Sequence, residues 1–85
     1  TDKRKARKTI AKAYALNPRP ELVPVWLQVH GAQAAQPGAM DQIAIVERLT
    51  REQPDHPVSD LAMAEANHRA GLWGVARRHA LQALE

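Results

Sequence analysis

The sequence predicts an all-α protein built from short helical hairpins, and three observations carry that prediction. Its apolar content is dominated by Ala and Leu, with two Trp, one Tyr and no Phe. Ala and Leu are strong helix formers, and the β-branched residues that a sheet needs are sparse. Pro and Gly punctuate the chain, and between these marks apolar residues recur at spacings of three and four.

The breaks fall at Asn17-Pro18-Arg19-Pro20, Gln36-Pro37-Gly38, Gln53-Pro54-Asp55-His56-Pro57 and Gly71. Pro removes a donor and clashes with the preceding turn, while Gly accepts a left-handed backbone. Five helices are therefore expected, over 2–16, 21–35, 39–53, 58–70 and 73–84. In the first, Ala6, Ile10, Ala13 and Tyr14 share a face. Ile43, Val46, Leu49 and Thr50 do so in the third, and Ala76, Ala80, Ala83 and Leu84 in the last. Asp41 and Ser59 suit helix N-termini, where unpaired N–H groups favour acceptors and acids.

Length and charge bound the function. Eighty-five residues make one small domain, in which only about 60–65% of the unfolded surface is buried. The absence of cysteine excludes disulfides and thiolate metal sites. No run approaches the roughly 20 apolar residues of a membrane span, and no signal-peptide stretch opens the chain. Starting at Thr1 in mid-helix pattern, the sequence reads as a piece of a longer protein. The formal charge of +3 is uneven. Lys3, Arg4, Lys5, Arg7 and Lys8 against Asp2 give +4, and the remainder, with seven basic and eight acidic side chains, gives −1. No aromatic interleaves that cluster, so it reads as a solvated helix face, with a nucleic-acid or anionic-membrane contact through residues 3–8 as the alternative.

The segments also repeat. Ala6, Ile10 and Pro18 recur at the same offsets as Gln42, Val46 and Pro54, and Ala76 and Ala80 start the pattern again. Pro18 and Pro54 are 36 residues apart, and Ala6 and Ala76 are 70 apart. This resembles the tetratricopeptide repeat, whose period is about 34 residues. On that family's pattern Gly71 falls on the inter-helix glycine and Ala64 on the small site of the first helix. Trp73 falls on the aromatic after the turn, and Ala76, Ala83 and Leu84 on small and apolar sites of the second helix. The middle repeat departs at Pro24, Gln28, Gly31 and Gln42. The resemblance implies antiparallel hairpins stacked as a right-handed solenoid: residues 1–18 as a trailing second helix, 19–54 as a divergent hairpin, and 55–85 as a hairpin. Small residues at fixed points would let paired helices approach closely, so Ala64, Ala76 and Ala83 are expected at helix contacts. With its partner helix missing, the first segment is expected to leave Ile10 and Tyr14 short of cover and to self-associate through that end.

A narrower resemblance rests on Gln53-Pro54-Asp55-His56-Pro57, Leu61-Ala62-Met63-Ala64-Glu65-Ala66 and Ala70-Gly71-Leu72-Trp73-Gly74-Val75-Ala76-Arg77-Arg78-His79. These stretches look like the C-terminal repeat region of the HemY family. That family comprises proteobacterial inner-membrane proteins associated with haem biosynthesis. The resemblance implies a membrane anchor outside these residues, a soluble portion on the cytoplasmic side, and a scaffold near tetrapyrrole enzymes.

Chemistry-bearing residues point to no enzyme. There is no phosphate-cradling Gly-rich loop, and Ser59, though near His56 and Asp60 in sequence, is better explained by the helix start, while Glu47, Glu52, Asp55 and Asp60 read as solvated. His30, His56, His68 and His79 are separated by 26, 12 and 11 residues, which is not ligand spacing. They read as surface histidines, with His68 at most in weak contact with Glu65. No metal or cofactor is expected. The alternative to a scaffold, a haem or porphyrin carrier, rests on His30, which alone has apolar neighbours in Val29 and Trp26. Trp73 is expected in the core. Trp26 belongs either to the core or, if exposed, to a binding surface. In the tetratricopeptide family the first helix of each hairpin lines the concave groove, so the resemblance implies a binding face of Trp26, Gln33, Glu65, His68 and Arg69. Its partners would be proteins or peptides.

Overall fold

The computed structural model describes the backbone of residues 2–31 and 38–84. Those residues form five helices, with no strand among them: α1 (Asp2–Leu16), α2 (Leu22–Gly31), α3 (Ala39–Thr50), α4 (Pro57–Arg69) and α5 (Trp73–Ala83). Each helix packs on the next, and α1 also touches α3. The molecule measures 38 × 30 × 16 Å.

Local chemistry sets the boundaries. α1 stops before Asn17-Pro18, since the residue before a proline is pushed out of the helical region. One of its last carbonyls, at Ala15, accepts from Gln53 Nε2 at 2.9 Å, so a side chain 38 residues away supplies that end's missing partner. Pro24 is the third residue of α2. The first four N–H groups of a helix have no intrahelical acceptor, so proline there forfeits no bond and the middle pair keeps its first helix.

α3 ends at Thr50, three residues short of expectation. Turns closed by Gln53 N–H on Thr50 O and His56 N–H on Gln53 O carry the chain into α4. The cap of α4 is His56, whose Nδ1 accepts from Val58 N–H at 3.1 Å, and Pro57 takes the first helical position. Ser59, expected at the helix start, is instead fully buried inside the first turn. Gly71, at φ 79°, ends α4 with paired bonds from Gly71 N–H to His68 O and from Leu72 N–H to Asn67 O. This is the Schellman pattern, which requires a left-handed residue and therefore favours glycine.

Ile10, Tyr14, Val23, Trp26, Val46, Leu49, Ala62 and Ala66 form the core. Burying a side chain such as Leu49 contributes about 1.5–3 kcal/mol. The expectation that Ile10 and Tyr14 lack cover is therefore wrong, because α2, α3 and α4 close over them. α4 is the central helix, and it is buried on two sides. Ser59, Ala62 and Ala66 turn toward the core, while Asp60 and Ala64 turn toward α5. Among the described residues α5 packs chiefly on α4. Ala76 is buried, Ala83 only half-buried and Leu84 84% exposed, so the small-residue contact expected of Ala83 is partial and the packing expected of Leu84 is absent.

Candidate functional site

Among the described residues the α4–α5 hairpin carries a groove suited to binding. Three residues connect the helices, and Asp60 near the start of α4 bonds His79 near the end of α5, so the pair runs antiparallel. Ala64 and Ala76, six residues on either side of Ala70, are both buried and let the two backbones close. Their small side chains leave an open groove of about 530 Å³. Glu65, His68 and Arg69 line it from α4, and Trp73, Arg77 and Ala80 from α5, over a floor of Ala64 and Ala76.

Trp73 is 69% exposed at the groove's edge. The expected core position fails for a physical reason: Trp73 opens α5, where α4 has already ended at the Gly71 turn, and among the described residues no helix lies beyond α5 to cover it. The groove is cationic. Arg69 pairs with Glu65 at 3.9 Å, but both are more than half exposed, so that pair contributes little. Arg77 and His68 have no ion-pair partner among the described residues. The expected contact between His68 and Glu65 is replaced by the Glu65–Arg69 pair one residue further along the helix.

Of the residues expected on a binding face, the structure brings Glu65, His68 and Arg69 together in this groove. Trp26 is elsewhere and buried, its indole N–H donating to Ile45 O at 2.7 Å, so it takes the core alternative. Gln33 lies outside the described residues. Trp73 and Arg77 were missed as groove residues, although their place just across the Gly71 turn from Arg69 and Ala64 was a usable signal.

Three other polar sites depart from expectation. Asp60 and His79, both expected at the surface, pair at 3.0 Å between Oδ1 and Nδ1, with side-chain exposures of 8% and 21%. They hold together the hairpin end opposite the Gly71 turn. Ser59 Oγ lies 2.6 Å from the Tyr14 hydroxyl, both buried. His30 is half-buried rather than superficial. Its Nδ1 donates to Trp26 O at 2.9 Å, since a carbonyl can only accept, and its ring packs on Trp26 at a centroid distance of 4.3 Å. Among the described residues no three His, Asp or Glu side chains gather where they could hold a metal ion. Among the described residues no helix is long and apolar enough to cross a membrane.

No family model matches the chain, and neither does any curated protein or solved structure.

Proposed function

We propose that the chain is a protein-interaction scaffold whose α4–α5 groove seats a partner segment carrying an apolar side chain flanked by acidic residues. The observation that carries this is the exposed Trp73 standing over an alanine floor between Arg69 and Arg77. An exposed aromatic is a common anchor of protein interfaces, and two guanidinium groups select for carboxylates around it. In the same reading the five helices are a piece of a tetratricopeptide array, stacked as a right-handed solenoid with the divisions 1–18, 19–54 and 55–85. Support comes from sequential helix packing and from buried Ala64 and Ala76 where that repeat has small residues. The HemY resemblance adds a setting, a scaffold near tetrapyrrole enzymes at the inner membrane.

The test is a titration of intrinsic fluorescence with two peptides of equal length, one alternating Asp with Leu and the other Lys with Leu. Trp26 is already buried, so a change in emission reports Trp73. The acidic peptide is expected to shift the emission to the blue, and Trp73→Ala, which removes the reporter and is therefore followed by calorimetry beside the parent, to weaken binding about tenfold. Equal response to both peptides, or none to either, defeats the proposal.

A further inference from the structure

α1 carries a second surface, separate from the groove. Arg4, Lys5, Lys8 and Lys12 are all exposed, opposite the buried Ile10 and Tyr14. Arg4, Lys8 and Lys12 repeat every fourth residue, a row rising about 6 Å per step, and Lys5 lies beside it. Leu16 continues the same row and is 79% exposed. The sequence has no acidic residue from 3 to 20, and none of the four cations forms an ion pair with a described residue.

Within the protein this arrangement is unfavourable twice over. Like charges four apart on a helix repel, whereas α3 and α4 alternate their charges as Glu47–Arg51 and Glu65–Arg69. Arg4 and Lys5 also stand near the positive end of their own helix dipole. An anionic surface alongside α1 relieves both. We propose that this stripe docks α1 flat on a bilayer containing anionic phospholipid.

The residues favour a bilayer over a nucleic acid. Three of the four cations are Lys, flexible stems with a single charge, and not the planar forks that grip phosphate in pairs. Their stems can lie along an apolar boundary while the ammonium groups reach headgroups. Leu16, at the end of the row, suits the acyl boundary and has no role against a sugar-phosphate backbone. No exposed aromatic accompanies the row to stack on a base, and the exposed amide nearby, Asn17, lies beyond its end. Each cation held near an anionic membrane raises partition about fivefold, so four give weak, reversible attachment that a second anchor or partner reinforces.

The test uses the 85-residue protein sedimented with vesicles containing about 30 mol% phosphatidylglycerol in phosphatidylcholine, against phosphatidylcholine alone. Partition onto the anionic vesicles is expected to exceed that onto neutral ones at least about tenfold and to fall as salt rises. The triple variant Lys5→Gln, Lys8→Gln, Lys12→Gln is expected to bind near the neutral level with an unchanged helical circular-dichroism spectrum. Trp73→Ala is expected to bind like the parent, which separates this surface from the groove. Equal partition onto both vesicles, undiminished binding of the folded triple variant, or tighter binding to a mixed-sequence DNA duplex than to the anionic vesicles overturns the inference.

Discussion

The Tyr14 hydroxyl and Ser59 Oγ meet at 2.6 Å, 45 residues apart in sequence and both buried. This one bond ties the first helix to the central one. Burial pushes the Tyr14 phenol above its ordinary 10.0, with the Ser59 bond pulling the other way. The folded protein thus holds a proton at a pH where the unfolded chain has lost it. The stability tied to this proton is complete below pH 10 and drains away as pH rises beyond it through the folded value. Tyr14→Phe is expected to cost about 1 kcal/mol at neutral pH and to flatten the loss of stability as pH rises above about 10. Urea midpoints across that range decide the matter. An equal slope in both proteins would show that Tyr14 is not the group responsible.

Asp60 and His79 invite a similar test at the other end of the molecule. Asp60 is nearly inaccessible, and His79 is its hydrogen-bond partner across the hairpin. Removing the imidazole leaves a buried carboxylate without that donor. His79→Ala is expected to lose about 1–3 kcal/mol, whereas Glu65→Ala, which removes only an exposed pair, should lose under about 1 kcal/mol. A double-mutant cycle with Asp60→Asn should show coupling between positions 60 and 79. Additive losses would mean that the 3.0 Å contact contributes nothing beyond packing.

These two pairs mark where sequence reading stops. The number of helices and most of their ends follow from Pro, Gly and local periodicity, all properties of short stretches. Val46, Leu49 and Thr50 are buried together as their spacing implies. Asp60, His79 and Ser59 read as surface or cap residues because polar side chains usually are, and only tertiary packing reveals their partners. Trp73 fails in the opposite direction, an aromatic assigned to the core where no helix among the described residues covers it. The turn at Gly71 held part of the answer. Asp60 and His79 lie ten residues before and nine after Ala70, so antiparallel pairing about that turn places them opposite each other. Glu65, His68 and Arg69, expected on one face of their helix, line one groove with Trp73 and Arg77.

The cap of α4 gives a local check. His56 Nδ1 accepts from Val58 N–H, a role that Asp fills better because its charge also complements the helix dipole. His56→Ala is expected to cost about 0.5–2 kcal/mol, and His56→Asp to restore or exceed the parent's stability. Thermal unfolding of both variants tests this. If the aspartate variant were no better than the alanine one, the cap geometry would not be what holds this end.

Ala76 tests the close approach that builds the groove. It is buried beside Ala64, and the two form the groove floor, so three added carbons crowd the contact with α4 at the base of the groove. Ala76→Leu is expected to cost about 1–3 kcal/mol through overpacking. Ala80→Leu, at a half-buried position on the same helix, should cost clearly less. Urea denaturation of the two compares like with like. An Ala76→Leu midpoint equal to the parent's would mean that α4 and α5 are not held at the separation described.

The haem alternative has its own decisive experiment, and the structure sharpens it. Donation from His30 Nδ1 to the Trp26 carbonyl leaves the lone pair on Nε2, the tautomer that a metal-bound imidazole adopts. The ligand chemistry is therefore sound, and the question passes to the pocket. Tight haem binding needs apolar walls that enclose a flat macrocycle around the ligating nitrogen. Trp26 cannot swing out to become such a wall, since it is buried and its N–H is committed to Ile45 O at 2.7 Å. Its ring already packs on that of His30, so one face of the imidazole is occupied. His68 is exposed and set between charged Glu65, Arg69 and Arg77, which suits a wet groove better than a buried porphyrin. Titration with haemin followed in the Soret region is thus expected to give only a weak, broad change that does not saturate at one equivalent. His30→Ala should leave it unaltered. A sharp, shifted band complete at one equivalent and abolished by His30→Ala would replace the scaffold reading with a haem carrier.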